Sequence, residues 1–187
     1  MLIRALLISV FTSVAFLSPA FASSVEDDQA TIKAFMVSDV VQKFHNSAYG
    51  YAVFPTIGKG GIGIGGAHGS GGVYHGGKKI GDTNMTQVTV GFQLGGQAYS
   101  QIIYFEDKRA LDDFTSGNFE FGAQATAIAI TSSAGAQAGT EGTSASANAN
   151  QAEIKYHKGM AVLTMGKGGL MYEATLGGQK YNYTPVK

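Results

Sequence analysis

Between residues 52 and 74 the chain reads AVFPTIGKGGIGIGGAHGSGGVY, with glycine at nearly every second position alongside Val, Ile, Phe and Tyr. A flexible linker would fill the remaining positions with Ser, Thr and charge. Here Ile62 and Ile64 alternate with Gly61, Gly63 and Gly65, which is the period of a strand with one face stripped of side chains. Something is expected to pack or bind on that bare face, with Gly58, Gly60, Gly61, Gly63 and Gly65 allowing the close approach.

The pattern returns near the C-terminus. Residues 52–62, AVFPTIGKGGI, are echoed by residues 161–170, AVLTMGKGGL, one residue shorter because Pro55 has no counterpart. Two units are too few for a solenoid. They are expected to be two similar hairpins or bends at related positions of one sheet, which adds Gly166, Gly168 and Gly169 to the close-approach glycines.

The N-terminus has the form of an export signal. Arg4 precedes an apolar run over residues 5–17, and Pro19-Ala20-Phe21-Ala22 ends in a small-x-small cleavage pattern. Cleavage after Ala22 would release a chain that starts at Ser23, periplasmic or secreted, with residues 23–187 as one domain. With no cysteine, disulfides and a lipid-modified N-terminal cysteine are excluded, so any membrane attachment is noncovalent. Thirteen basic residues, twelve without Arg4, face thirteen acidic ones, so no global field favours nucleic acid or an anionic surface. A local patch must carry any electrostatic binding.

Residues 23–46 read as helix, either one bent helix or two short ones. Ser24 and Asp27 form a capping box, Ile32, Met36, Val40 and Phe44 recur every fourth position, Val37 and Val41 widen the stripe, and Ser38-Asp39 can cap a second turn. Strands are expected over 51–54, 61–74 and 87–94, then in the apolar run 102–105. A short helix over 107–115 and a long alternating strand over 119–130 follow. Residues 131–151 hold Ala, Gly, Ser, Thr and Asn with a single charge, Glu141, and read as a mobile low-complexity loop. Strands over 153–156, 160–165, 169–176 and 180–183 complete the sheet, with Gly177-Gly178 as the last tight turn. The expected class is α+β: an N-terminal helix, a strongly twisted antiparallel sheet curled towards a barrel or sandwich, and one short internal helix.

In order along the chain, Gly50-Tyr51-Ala52-Val53-Phe54-Pro55 with Lys59-Gly60-Gly61, the Gly-x-Gly series into Val73-Tyr74, and residues 90–97 (VGFQLGGQ) resemble the SYLF domain family. The helix with Ala110-Leu111 and Phe114, then Gly168-Gly169-Leu170 and Gly177-Gly178, extend the likeness over nearly all of residues 23–187. The resemblance implies a non-enzymatic lipid-binding domain, described in eukaryotic members as binding phosphoinositides and, in yeast actin-patch regulators, actin. The export signal, and an end at Lys187 without room for the SH3 or FYVE module of those relatives, favour lipid over actin here.

Catalytic and cofactor readings fare poorly. Residues 72–78 have phosphate-loop spacing, but Lys79 stands where Ser or Thr is needed and no helix follows; the dinucleotide pattern at 61–66 fails for the same lack of a helix. His68 and His75 lack a third metal ligand, His45 and His157 read as exposed, and Asp27-Asp28 and Asp112-Asp113 as solvent faces of helices. No catalytic set, cofactor or metal is therefore expected. Lys59, Lys78, Lys79 and Lys167 remain as headgroup-binding candidates, forming one cationic patch if their turns meet at one rim. The expected partner is anionic or phosphoinositide-like membrane lipid, without nucleic acid. The alternative is an envelope structural or protein-interaction module.

Overall fold

The computed structural model describes residues 23–91, 96–122, 127–129, 156–167 and 176–187. Among these, the chain forms three helices and a seven-stranded, almost wholly antiparallel sheet curled into a half-barrel. The α+β expectation holds.

Two short helices replace a single N-terminal one. In α1 (Val25–Phe35) the Ser24 side chain accepts from the Asp27 backbone N–H at 3.0 Å, as the capping box required. The helix stops at Met36, and α2 (Asp39–Ser47) restarts three residues on, where Gln42 Nε2 donates to the Met36 carbonyl at 2.8 Å. The break rotates the stripe, so Ile32, Phe35, Val41 and Phe44 are buried while Val37, placed on the stripe by periodicity, is exposed.

Strand β1 (Gly50–His75) has 26 residues. Straight, it would run about 85 Å, twice the width of a domain this size. It doubles back instead. A Cβ on Gly50 would lie 2.7 Å from the Tyr74 carbonyl oxygen, and one on Gly69 2.8 Å from that of Thr56. A Cβ on Gly71 would overlap the Val53 carbonyl, and one on Gly61 would overlap the Gly65 backbone. These pairs close towards a fold-back at 61–65, where Gly61 has φ 151°, so the two arms of β1 lie antiparallel. The outgoing arm pairs with β3 (Gln97–Phe105) and the returning arm with β2 (Lys78–Gly91).

The remaining strands are β4 (Phe119–Glu120), β5 (Ile128–Ala129), β6 (Met160–Lys167) and β7 (Gln179–Pro185), in the sheet order β4-β7-β2-β1-β3-β6-β5. The segment 119–130 is thus not one long strand, as its alternation suggested. It gives β4 to one edge and β5, a parallel partner of β6, to the other. A segment that must pass between two edges cannot pair along its length. The same segment explains the curl. Flat, and with β1 counted as two arms, the sheet would separate its edge strands by about 34 Å. The eight steps from Glu120 to Ile128 span at most about 27 Å. Closure is visible inside, where Gln101 Nε2 of β3 donates to the Tyr181 hydroxyl of β7 at 2.7 Å.

Helix α3 (Lys108–Thr115), capped by Asp107 Oδ1 accepting from the Ala110 N–H at 2.8 Å, lies where it was expected and closes the concave side. Its Ala110, Leu111 and Phe114 pack with Phe54, Ile57, Met85, Ile103, Phe105 and Tyr181. The convex side forms a second core in which Ile32, Phe35, Val41 and Phe44 of α1 and α2 cover Val53, Tyr74, Ile102, Tyr104 and Leu163. Gly178, with φ 75°, makes the turn expected before β7. Residues 131–151, and the expected strands over 153–155 and 169–175, lie outside the described residues.

A polar chain crosses the inner core. Gln179 Nε2 donates to the Tyr99 hydroxyl (3.2 Å) and to Gln87 Oε1 (3.4 Å), and the Tyr181 hydroxyl donates to Gln179 Oε1 (2.5 Å). Burial pushes the Tyr99 hydroxyl up to about 12 and Tyr181 well above the usual phenol range, so both stay protonated. Thr164, paired with Gln101 in register, is buried with its Oγ1 unpartnered among the described residues. Since an unmade buried hydrogen bond costs about 1–3 kcal/mol, Thr164→Val, the same shape without the hydroxyl, is expected to stabilise by about 1 kcal/mol in urea denaturation. A loss of stability would mean the hydroxyl has a partner.

Candidate functional site

Strand register places each candidate lysine. Lys59 pairs with Gln97 at the end of the β1–β3 ladder, and Lys167 pairs with Ala98 at the end of β6. Both flank β3 at the same end of the sheet, about 10 Å apart across one strand. Lys59 therefore sits in the ladder, not in a turn, because the chain folds back later, at 61–65. The second copy of the glycine motif is its neighbour across β3. The extra residue of the first copy is a bulge: register slips between Phe54 and Ile57, around Pro55, whose carbonyl accepts from Ser100 Oγ at 2.8 Å.

The bulge has a consequence for the lysines. Opposed residues share a face and successive residues alternate. Gln97 and Ala98 are successive, so Lys59 takes the concave face and Lys167 the convex one. Lys167 Nζ accordingly reaches Thr56 Oγ1, on the convex side, at 2.7 Å.

Lys78 and Lys79 lie at the far end of the returning arm, beyond the Gly76-Gly77 turn, about 33 Å from the fold-back. Lys78 is exposed. Lys79 is held in a mostly buried cluster: its Nζ donates to the Ser23 carbonyl at 2.9 Å, lies 2.8 Å from Asp82 Oδ1 and 3.8 Å from Asp28 Oδ2. Four lysines thus become one pair and two residues at the opposite end.

Asp28 corrects the reading of Asp27-Asp28 as a solvent face. Its carboxylate is fully buried in the first turn of α1 and accepts from the Tyr74 hydroxyl at 2.7 Å, and the missing Cβ of Gly72 leaves room for it. Burial pushes its pKa up, against the lowering effects of the Tyr74 hydrogen bond and the Lys79 charge. In sequence, an acid in a first helical turn signals only the helix dipole; its burial depends on a strand 46 residues away.

Of the close-approach glycines, Gly61 makes one, at the fold-back. No described atom lies within 4 Å of a Cβ on Gly58. Gly60, Gly63 and Gly65 lie in β1 and Gly166 in β6, while Gly168 and Gly169 are outside the described residues. Close contacts also fall at Gly69, Gly71, Gly72 and Gly81, which sequence reasoning did not single out.

The histidines form no cluster. His45, expected to be exposed, is half-buried against the Tyr51 and Tyr104 rings, and burial lowers its pKa. His75 stacks on Tyr49 with ring centroids 4.3 Å apart, and His68 is exposed further along the arm. Among the described residues no group of three or more His, Cys, Asp or Glu could hold a metal ion, and no helix is long and apolar enough to cross a membrane.

Charge divides by end. Segments 56–70, 86–98 and 160–167 carry Lys59, His68 and Lys167 and no Asp or Glu. Asp82 near the start of β2, Glu106 and Asp107 just after β3, and Asp112 and Asp113 in α3 lie at the other end. Among the described residues, the acid nearest the lysine end along the sheet, Glu120, sits on the outermost strand and pairs with Lys180 at 3.5 Å.

Residues 86–183 match the family described as "Ysc84: Las17-binding protein actin regulator". Over 157 residues, 82% of this chain, the sequence is 32% identical to Beta cell expansion factor A of Aeromonas veronii. The match takes in 53% of that protein, so the chain spans about half the length of the curated relative it matches.

Proposed function

The chain belongs to the Ysc84, or SYLF, family, and from that premise we propose that it is a non-enzymatic protein that binds anionic phospholipid headgroups noncovalently at a membrane surface after export. The family is associated with lipid binding and actin regulation. One observation carries the choice of lipid: Lys59 and Lys167 flank β3 at a sheet end without a described carboxylate. Two cations without competing acids among the described residues suit a phosphate-bearing surface. An N-terminal signal cleaved after Ala22 would take the protein to the periplasm or outside the cell, where such a surface is present and actin is not its natural partner.

Each lysine near an anionic surface contributes about 1 kcal/mol. Removing both, as Lys59→Ala with Lys167→Ala, is therefore expected to weaken binding to phosphatidylglycerol vesicles about 30-fold in flotation. Lys78→Ala, at the far end, is expected to change it less than threefold. Binding should also fall as salt rises from about 0.05 to 0.3 M. Equal effects of the two variants, or binding indifferent to salt, would contradict the lysine pair as the headgroup site. Stable binding to an envelope protein without lipid affinity would favour the interaction-module alternative.

A further inference from the structure

Resting on that reading, we propose that the protein meets an anionic bilayer end-on, with the β1 fold-back leading and Ile64 and Val88 entering the acyl boundary. Ile64 and Val88 are 71% and 75% exposed, the two most exposed large apolar side chains among the described residues. They are also neighbours. Val88 pairs with Gly66, two residues along β1 from Ile64, and the alternation of both strands puts them on the convex face. The glycines between them add no side chain that could shield either one. Helices α1 and α2 cover the convex face only over Tyr51, Val53, Tyr74 and the facing residues of β3 and β6, leaving this corner uncovered by either helix.

The orientation follows from the lysines. Lys59 and Lys167 project from opposite faces of the sheet, so a bilayer lying against either face would engage one and turn the other away. Only a plane crossing the strands at their ends takes both. That plane is the one the fold-back at 61–65 and the end of β2 reach first. Apolar side chains at the tip, cations just behind them and most of the described acids at the other end make up the profile of a peripheral membrane protein, with its apolar part in the acyl boundary and its charges among the headgroups.

The absence of cysteine permits a direct test. Full-length single-cysteine variants Ile64→Cys, Val88→Cys and Val186→Cys would carry an environment-sensitive fluorophore and be mixed with phosphatidylglycerol/phosphatidylcholine vesicles whose acyl chains are brominated. Val186, also exposed but beside Ile80 at the opposite end, is the internal comparison. The proposal expects quenching and a blue shift at 64 and 88 and neither at 186. Quenching at 186 instead, or at none of the three while the unlabelled protein still floats, would overturn the end-on orientation and leave lipid binding standing. No flotation of the unlabelled protein would overturn both. A blue shift at 64 and 88 without vesicles, growing with protein concentration, would overturn it in favour of a second copy covering the patch. As a second measure, Ile64→Asp with Val88→Asp is expected to weaken vesicle binding at least tenfold with unchanged thermal unfolding, because both positions are exposed. Unchanged binding would contradict insertion.

Discussion

Gly71→Ala is expected to destabilise the protein by about 3 kcal/mol, lowering the melting temperature by about 10 °C. An added Cβ there would overlap the Val53 carbonyl oxygen and lie 2.8 Å from Phe54 Cδ1. Neither can yield cheaply. The carbonyl belongs to the opposite arm of β1, which β3 holds in register, and the Phe54 ring is buried against Tyr181. Relief would require separating the two arms, the contact on which the inner core is built. Gly58→Ala is the matched comparison, in the same glycine-rich strand but with no described atom within 4 Å and no left-handed φ. It is expected to change stability by less than about 0.5 kcal/mol, or to stabilise slightly by restricting the unfolded chain. Similar losses at both positions, measured by urea denaturation, would mean that β1 does not fold back as described.

Lys79→Ala is expected to cost about 3 kcal/mol at neutral pH, because it leaves Asp28 buried without its countercharge. The effect should depend on pH with a definite sign. Burial holds the Asp28 pKa above its unfolded value in the native protein, so the folded state binds the proton more tightly than the unfolded state. Its contribution to stability is fully present below the unfolded carboxylate value, about 3.9, and is lost as pH rises through the raised native value. Without Lys79 that native value rises further. The difference between variant and wild type should therefore be small near pH 4 and largest near pH 7.5. Asp28→Asn keeps an acceptor for the Tyr74 hydroxyl but cannot ionise, and is expected to remove this pH dependence. A Lys79→Ala penalty that is equal at both pH values would contradict the buried charge.

The glycine pattern revealed the strands and a bend between them, but set the bend at Gly58-Lys59-Gly60-Gly61 rather than at 61–65. The arms at 51–54 and 61–74 were legible, since Val53, Phe54, Val73 and Tyr74 mark them. The place of the turn was not, because Gly61, Gly63 and Gly65 alternate through it as they do in the strands, and without side chains there is no apolar period to break. Lys59 was consequently placed in a turn rather than in the ladder. Local signals transferred well: Ser24 caps α1, α3 falls within the expected 107–115 and Gly178 turns into β7. The extra residue at Pro55 was visible as a mismatch between the two glycine motifs, and it proved to be the bulge that sends Lys59 and Lys167 to opposite faces. What stayed hidden required contacts between distant segments. Asp28 is buried only because Gly72 and Tyr74 come beneath α1. Residues 119–130 alternate like a strand, yet they serve both edges of a closing sheet.

Vesicle flotation of the unmodified protein, with phosphatidylglycerol-containing against purely phosphatidylcholine vesicles at low salt, bears most directly on the central claim. The account predicts flotation with the anionic vesicles and little with the zwitterionic ones. Failure to float with either, or equal flotation with both, would contradict recognition of anionic headgroups.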